Sequence, residues 1–307
     1  MTMQNDCGRP DISTSLRALM AEVGPRWAEN IPGHVKLMIE EFSKVHVSCP
    51  SDDSTVTLDI PYGPHPRQQF DLFMPKSACM NLPLLIFVHG GAFVDGHRNR
   101  TPQVYSNVLR YFARHGFAGI NMGYRLAPEC VYPSASQDLA SVVRWAHDNA
   151  AKFNMDANRI FLMGHSAGAA HAASYAYDHR LHGNADTGLA GLVVISGRVR
   201  ADTLSENPNA KKVKTYYGTN PSLLDDRSPV SHVDVRSLPT FIAMAQFENP
   251  LIDVHCVELV HRLASAKRRS PPFVWLRGHN HTSAIAHINT SEDVLGRAIL
   301  DFMAHPL

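Results

Sequence analysis

The sequence predicts an α/β fold in which helices cover both faces of a mostly parallel sheet of about eight strands. From residue 84 onward, short apolar runs alternate with longer segments of helical periodicity. The run Leu84–Val88 is apolar without interruption, as expected for a strand buried on both faces. The 307 residues are 44% apolar and 19% charged, which allows one large core.

The N-terminal part differs from the rest in its periodicity. Residues 11–45 place apolar side chains at helical spacing, with breaks at Pro25 and at Pro32-Gly33. Strand-like runs follow at Lys44–Val47, Val56–Ile60 and Gln69–Phe73. We expect the first two strands of the sheet to form an antiparallel hairpin.

The remaining elements alternate in chain order. Strands are predicted at Leu84–Val88, Phe117–Met122, Ile160–Met163, Leu189–Ile195, Thr240–Ala245 and Phe273–Leu276. Helices are predicted at 102–115, from Pro133 onward, and at 167–178, 251–266 and 291–303. Residues 197–237 are less regular and contain three X-Pro breaks.

Composition restricts the partners and the compartment. Twenty-nine Lys and Arg against 28 Asp and Glu give a net charge of +1, which argues against nucleic acid as a partner. The five cysteines include no C-x-x-C pair, the N-terminus has no signal-peptide pattern, and no run approaches a membrane span. These features predict a soluble cytoplasmic protein with reduced thiols. The 18 histidines raise the question of a metal site.

The segment Gly164-His165-Ser166-Ala167-Gly168 stands between a predicted strand and an Ala-rich helix. A nucleophilic serine on a strand-to-helix turn needs this context, with small residues on both sides so that backbones can approach. The alternative is that Ser166 only caps the helix.

A second candidate loop, Val88–Phe93, contains His89-Gly90-Gly91 directly after an apolar strand. Such a loop can supply backbone N–H groups to an oxyanion, together with the N–H that follows the nucleophile. The expected donors are Gly91, Ala92 and Ala167. A plain Gly-Gly turn is the alternative.

These motifs carry a family resemblance. His89-Gly90-Gly91, Tyr124–Glu129 and Gly164–Gly168 occur in the order and spacing of the hormone-sensitive-lipase-like α/β-hydrolases. That group includes bacterial carboxylesterases and kynurenine-formamidase-like enzymes, and the resemblance covers roughly residues 55–305. It implies an α/β-hydrolase fold with a small helical cap. We assign residues 1–54 to the cap and 55–307 to the catalytic domain, with 197–237 as a second cap or a loop insertion.

The resemblance also implies roles for residues near the motifs. Tyr124–Glu129 is expected to support the oxyanion loop, and Arg125 and Glu129 to form a buried pair. His89 is expected to orient the oxyanion loop and His165 to shape the turn at Ser166.

The third member of a catalytic triad should be an acid after the strand Thr240–Ala245. Glu248 lies there and is the preferred candidate, although many relatives have Asp-Pro at this place. Asp253 is the alternative, and it also suits the first turn of the next helix, where the helix dipole favours a carboxylate.

The histidine of the triad should follow the last strand. His281 fits the family pattern best, and His279 is the alternative. A metal site at these two histidines would need further ligands, such as His255 and His287, and no H-E-x-x-H motif exists. We expect neither a metal nor another cofactor.

Together these residues predict a serine hydrolase that cleaves short-chain or small aryl carboxylic esters through an acyl-enzyme on Ser166. An arylformamidase or amidase using the same triad is the first alternative. A non-catalytic small-molecule receptor on a hydrolase scaffold is the second. The expected partner is a small-molecule ester, and the resemblance also allows a homodimer.

Overall fold

The apolar runs assemble into one mixed sheet in the computed structural model, which describes residues 8–49, 54–76, 80–182 and 186–306. Within these residues the sheet has eight strands in the spatial order β1-β2-β4-β3-β5-β6-β7-β8. They are β1 Ser54–Pro61, β2 Gln69–Pro75, β3 Leu82–Val88, β4 Ala118–Met122, β5 Met155–His165, β6 Gly191–Ile195, β7 Thr240–Phe247 and β8 Phe273–Asn280.

The pairing confirms the predicted architecture. β1 and β2 form the antiparallel hairpin, β2 is also antiparallel to β4, and all other neighbours are parallel. Parallel strands end at the same edge of the sheet, so the loops that follow β3, β5, β6, β7 and β8 lie close together. The α/β-hydrolase fold is therefore present.

Helices cover both faces of the sheet, as predicted. They are α1 Thr14–Val23, α2 Ile31–Val47, α3 Ser106–Arg114, α4 Ser134–Asn149, α5 Ala167–Tyr177, α6 Ala210–Tyr217, α7 Pro221–Leu224, α8 Ile252–Lys267, α9 Ser283–Ala286 and α10 Val294–Ala304. Every residue of β3 is buried. Ile86 enters the core shared with α4, α5 and α8, whereas Phe87 enters the core shared with α3 and α10. This alternation explains the unbroken apolar run.

The strand predicted at Lys44–Val47 is wrong, because these residues form the last turn of α2. Met38, Phe42 and His46 are all buried and follow one another at intervals of four, which places them on one helix face. The Nε2 atom of His46 lies 2.7 Å from the Ala286 carbonyl oxygen in α9. Packing against α9 thus overrides the local strand-like pattern.

The N-terminal helices pack over the edge of the sheet where β7 and β8 end. Met20, Trp27, Met38 and Phe42 are buried in a small core of their own that also includes Ala286. The indole Nε1–H of Trp27 donates to Asn249 Oδ1 at 2.8 Å, in the loop after β7. These apolar side chains therefore pack together and hold the neighbouring loop.

Residues 197–237 contain α6 and α7 and fold back over the loop after β3. Tyr216 and Tyr217 are buried there, and the Phe93 ring stacks on Tyr216 with centroids 5.3 Å apart. This segment therefore packs against the His89–Phe93 loop at Phe93.

The described residues contain no helix that is both long and apolar enough to cross a membrane. Cys49, Cys130 and Cys256 are free thiols, whereas Cys7 and Cys79 lie outside the described residues.

Candidate active site

Ser166 lies on a sharp turn between β5 and α5, with φ +58° and ψ −120°. The left-handed φ is unfavourable for a serine and is typical of positions where function constrains the backbone. A Cβ atom added at Gly168 would lie 2.2 Å from the Val88 carbonyl oxygen, and one at Gly164 would lie 2.4 Å from Ala169 Cα. Only glycine fits at either position, which explains the G-x-S-x-G pattern.

The Ser166 hydroxyl does not cap α5, although Ser166 occupies the N-cap position. Its Oγ atom lies 3.0 Å from Nε2 of His281 instead. The hydroxyl thus faces a base, as nucleophilic catalysis requires. It does not act as a helix cap.

His281 follows directly after β8. Its Nδ1 atom lies 2.5 Å from Glu248 Oε2, so the imidazole bridges the carboxylate and the serine. The side chains of His281 and Glu248 are almost completely buried. The backbone N–H of His281 also donates to the Phe247 carbonyl at 2.9 Å, which ties the two loops together.

Glu248, and not Asp253, reaches the imidazole. Its second oxygen, Oε1, accepts hydrogen bonds from the Ala245 N–H at 2.7 Å and the Ser196 hydroxyl at 2.5 Å. Asp253 is exposed in the first turn of α8, where the helix dipole favours a carboxylate.

The contact of Ser196 was missed by sequence reasoning. The only sequence signal was a polar residue at the carboxyl end of a parallel strand, where sites in this class of fold are found.

His279 lies beside His281 in sequence but points to a different set of partners. Its Nδ1 atom is 3.1 Å from the Ser283 hydroxyl, and its Nε2 atom is 2.9 Å from Glu292 Oε1. Across the part of the chain that the structure describes, no group of three or more His, Cys, Asp or Glu side chains could hold a metal ion.

The loop after β3 runs directly beside the serine. A Cβ atom at Gly90 would lie 3.1 Å from Ser166 Cβ, and one at Gly91 would lie 1.8 Å from the Asp95 carbonyl oxygen. Gly91 and Ala92 have φ values of +152° and +50°. Among the described residues, the N–H groups of Gly91 and Ala92 do not donate to a backbone carbonyl. Ala167 begins α5 beside Ser166, so its N–H is one of the unpaired donors of a helix N-terminus.

Tyr124 supports this loop from behind. Its hydroxyl donates to the His89 carbonyl at 2.8 Å, and its ring stacks on the His89 ring with centroids 4.4 Å apart. The expected Arg125–Glu129 pair is wrong. Arg125 binds the buried Asp138 at 2.7 Å, because Asp138 on α4 faces the start of the motif, whereas Glu129 is exposed beside His65.

His89 and His165 are buried neighbours of the site. His165 Nε2 lies 2.9 Å from the His281 carbonyl oxygen, and the two rings are 4.8 Å apart. Burial lowers the pKa of His89 to about 3 and holds the pKa of His165 well below its usual range. Both rings are therefore neutral near pH 7, and His165 holds the backbone of the loop that presents His281.

We expect the protein to lose stability steeply between pH 6.5 and 5. Burial lowers the pKa of His89 and His171 to about 3, whereas a histidine in the unfolded chain titrates near 6.5. The unfolded chain therefore binds more protons in this interval, and each such histidine removes about 1.4 kcal/mol of stability per pH unit. The free energy of unfolding contributed by these neutral histidines is therefore largest above pH 6.5, and it decreases as the pH falls below that value.

Urea unfolding at pH 7, 6 and 5 measures this effect. The His171→Gln variant should show a shallower dependence, since one buried histidine no longer titrates on unfolding. An unchanged midpoint between pH 7 and 5 would contradict the prediction.

Known proteins resemble this chain in sequence and in fold. The BD-FAE family matches residues 70–263, which contain Ser166 and Glu248 but end before His281. Esterase LipC of Mycobacterium tuberculosis is 30% identical over 238 residues, covering 72% of this chain and 58% of the relative. Versiconal hemiacetal acetate esterase of Dothistroma septosporum is 26% identical, covering 62% of this chain and 55% of the relative. The chain thus spans little more than half the length of these curated relatives.

Solved structures agree with the fold. Esterase B from Lactobacillus rhamnosis, inhibited by a tributyrin phosphonate, has a TM-score of 0.72 at 19% identity, with 95% of this chain and 96% of that chain covered. At this identity the likeness concerns the fold alone. The family match covers more than half of the chain and agrees with the three sequence motifs. The chain therefore belongs to the BD-FAE family, and its fold is that of the α/β-hydrolases.

Proposed function

We propose that this protein hydrolyses short-chain or small aryl carboxylic esters through an acyl-enzyme on Ser166. One observation carries the proposal. Ser166 Oγ, the His281 imidazole and the Glu248 carboxylate form one continuous hydrogen-bonded chain at a strained strand-to-helix turn. Nucleophile, base and orienting acid in this order are the arrangement of serine hydrolases.

In the proposed acylation step, His281 Nε2 takes the proton of Ser166 as Oγ attacks the ester carbonyl carbon. Glu248 accepts the Nδ1–H, which fixes the tautomer and stabilises the imidazolium. The tetrahedral intermediate then collapses, the bond to the leaving alcohol breaks, and His281 returns the proton to that alcohol. Water cleaves the acyl-enzyme by the same route, with His281 as base and then as acid.

The negative charge that develops on the carbonyl oxygen needs donors beside Ser166. We assign this role to the N–H groups of Gly91, Ala92 and Ala167. One such donor contributes about 3 kcal/mol to the transition state. Because the donors are main-chain groups, the methyl group of Ala92 does not remove one.

The proposed substrate class rests on the segments that cover the loops of the site and on the relatives. The N-terminal helices and the 197–237 segment surround the loops of the site with buried aromatic side chains such as Trp27, Phe42 and Tyr216. A compact cap of this kind favours small esters over long triglycerides. Among the relatives, one is named for an acetate ester and one bound a tributyrin phosphonate.

A panel of substrates tests the proposal. We expect p-nitrophenyl acetate and butyrate to be hydrolysed with a kcat/KM about tenfold or more above that of p-nitrophenyl dodecanoate. N-formyl and N-acetyl arylamides should react more slowly than the matching esters. Faster cleavage of the N-formyl arylamide would instead identify an arylformamidase. Folded protein that neither turns over any ester nor reacts with a fluorophosphonate probe would be a ligand-binding protein.

A cytoplasmic location and a homodimer remain predictions from the sequence pattern and the family resemblance. The proposed reaction requires no metal or other cofactor, since the nucleophile, the base and the oxyanion donors all come from the chain.

A further inference from the structure

Ser196 occupies the first position after β6, between the strands that carry the nucleophile and the acid. It is completely buried, and its φ of +50° is in the left-handed region. Its backbone N–H donates to the Ala243 carbonyl of β7 at 2.8 Å, while the preceding Ile195 carbonyl accepts from the Ser166 N–H at 3.0 Å. The peptide group between Ile195 and Ser196 therefore links the Ser166 backbone to β7, the strand that leads to Glu248.

Within the part of the chain that the structure describes, the Ser196 hydroxyl has one hydrogen-bond partner, the acid. Its hydroxyl donates to Glu248 Oε1 at 2.5 Å, and the Ala245 N–H donates to the same oxygen at 2.7 Å. The other oxygen, Oε2, faces His281 Nδ1. One oxygen of the Glu248 carboxylate is therefore anchored by two donors, and the other binds the imidazole of His281.

We propose that Ser196 is a positioning residue that fixes the Glu248 carboxylate so that one of its oxygens is always presented to His281. This inference rests on the proposed function of the triad. Glutamate has one more rotatable bond than aspartate, so its carboxylate needs an additional anchor. A single donor from Ala245 permits rotation about the remaining bonds, whereas two donors on Oε1 restrict it.

The backbone supports this assignment. A serine in the left-handed region is strained, and glycine would adopt the same conformation without that strain. The hydrogen bond that its hydroxyl donates to Glu248 explains why a serine occupies this position.

The test compares Ser196→Gly and Ser196→Ala with the wild type on a short p-nitrophenyl ester. Both variants should lower kcat by about tenfold to a hundredfold, the range expected for a hydrogen bond to a charged group, while KM changes less than about twofold. Ser196→Gly relieves the backbone strain, so it should be as stable as the wild type and still lose activity. Ser136→Ala is the matched control, since Ser136 is also completely buried and donates to a carbonyl, that of His171, at 3.3 Å.

A double-mutant cycle separates positioning from a general structural effect. In the Glu248→Gln background the further loss from Ser196→Gly should shrink to less than about twofold, because the carboxylate that Ser196 anchors is gone. An equal loss in both backgrounds would overturn the inference, as would a wild-type kcat in Ser196→Gly.

The far-downfield proton signal of the His281 Nδ1–H gives a readout that needs no substrate. We expect it to shift and broaden in Ser196→Gly and to stay unchanged in Ser136→Ala. If the wild type does not hydrolyse esters but its His281 proton signal still shifts in Ser196→Gly, the proposed function would be overturned and the positioning role would stand. If the wild type is active and the proton signal is the same in Ser196→Gly as in the wild type, the positioning role alone would be overturned.

Discussion

In the Ser166→Ala variant, hydrolysis of a short p-nitrophenyl ester is expected to fall about 10⁶-fold in kcat, as it does when a serine protease loses its nucleophile. The variant keeps the backbone donors near the oxyanion but has no Oγ atom to form the acyl-enzyme. A residual rate above that of buffer is still expected, because oxyanion stabilisation and binding remain.

The measurement combines turnover with covalent labelling by a fluorophosphonate probe. Labelling of the wild type and its loss in Ser166→Ala would locate the reactive hydroxyl. Ser136→Ala serves as the control for removal of a buried hydroxyl elsewhere. Activity near that of the wild type in a folded Ser166→Ala protein would show that another residue is the nucleophile.

The Glu248→Gln variant is expected to lose about 10⁴-fold in kcat, the cost of replacing the triad acid by its amide in serine proteases. The amide has the same shape, but it carries no charge to stabilise the imidazolium. It can also donate a hydrogen bond to Nδ1, which favours the wrong tautomer of His281. The loss should therefore appear in kcat far more than in KM.

Asp253→Asn is the matched control, because it makes the same chemical change five residues away on the exposed first turn of α8. Its kcat should stay within about twofold of the wild type, with a stability cost below about 1 kcal/mol from the helix dipole. A mild effect at Glu248 with a severe one at Asp253 would reverse the assignment of the acid.

Most elements of the fold could be predicted because the signals are local. Continuous apolar runs mark strands buried on both faces, and Leu84–Val88 is one of them. The error at Lys44–Val47 has a tertiary cause, since contact of His46 with α9 extends the helix through a strand-like sequence. The mistaken Arg125–Glu129 pair has a similar origin, because Asp138 reaches Arg125 from another element.

The sequence by itself indicated the family, the alternation of strands and helices in a mostly parallel sheet, the turn at Ser166 and the loop at His89–Phe93. The strands and helices follow from the periodicity of apolar residues. The turn at Ser166 and the loop at His89–Phe93 follow from glycines at crowded backbone positions. Both signals lie in residues that are neighbours in the sequence. The tertiary structure alone decided which acid and which histidine meet, and that the Ser196 hydroxyl donates to the acid. Ser166 and His281 are 115 residues apart, and Ser196 and Glu248 are 52 apart. Contacts over such separations arise from the packing of β5 to β8 at one edge of the sheet, which no local pattern specifies.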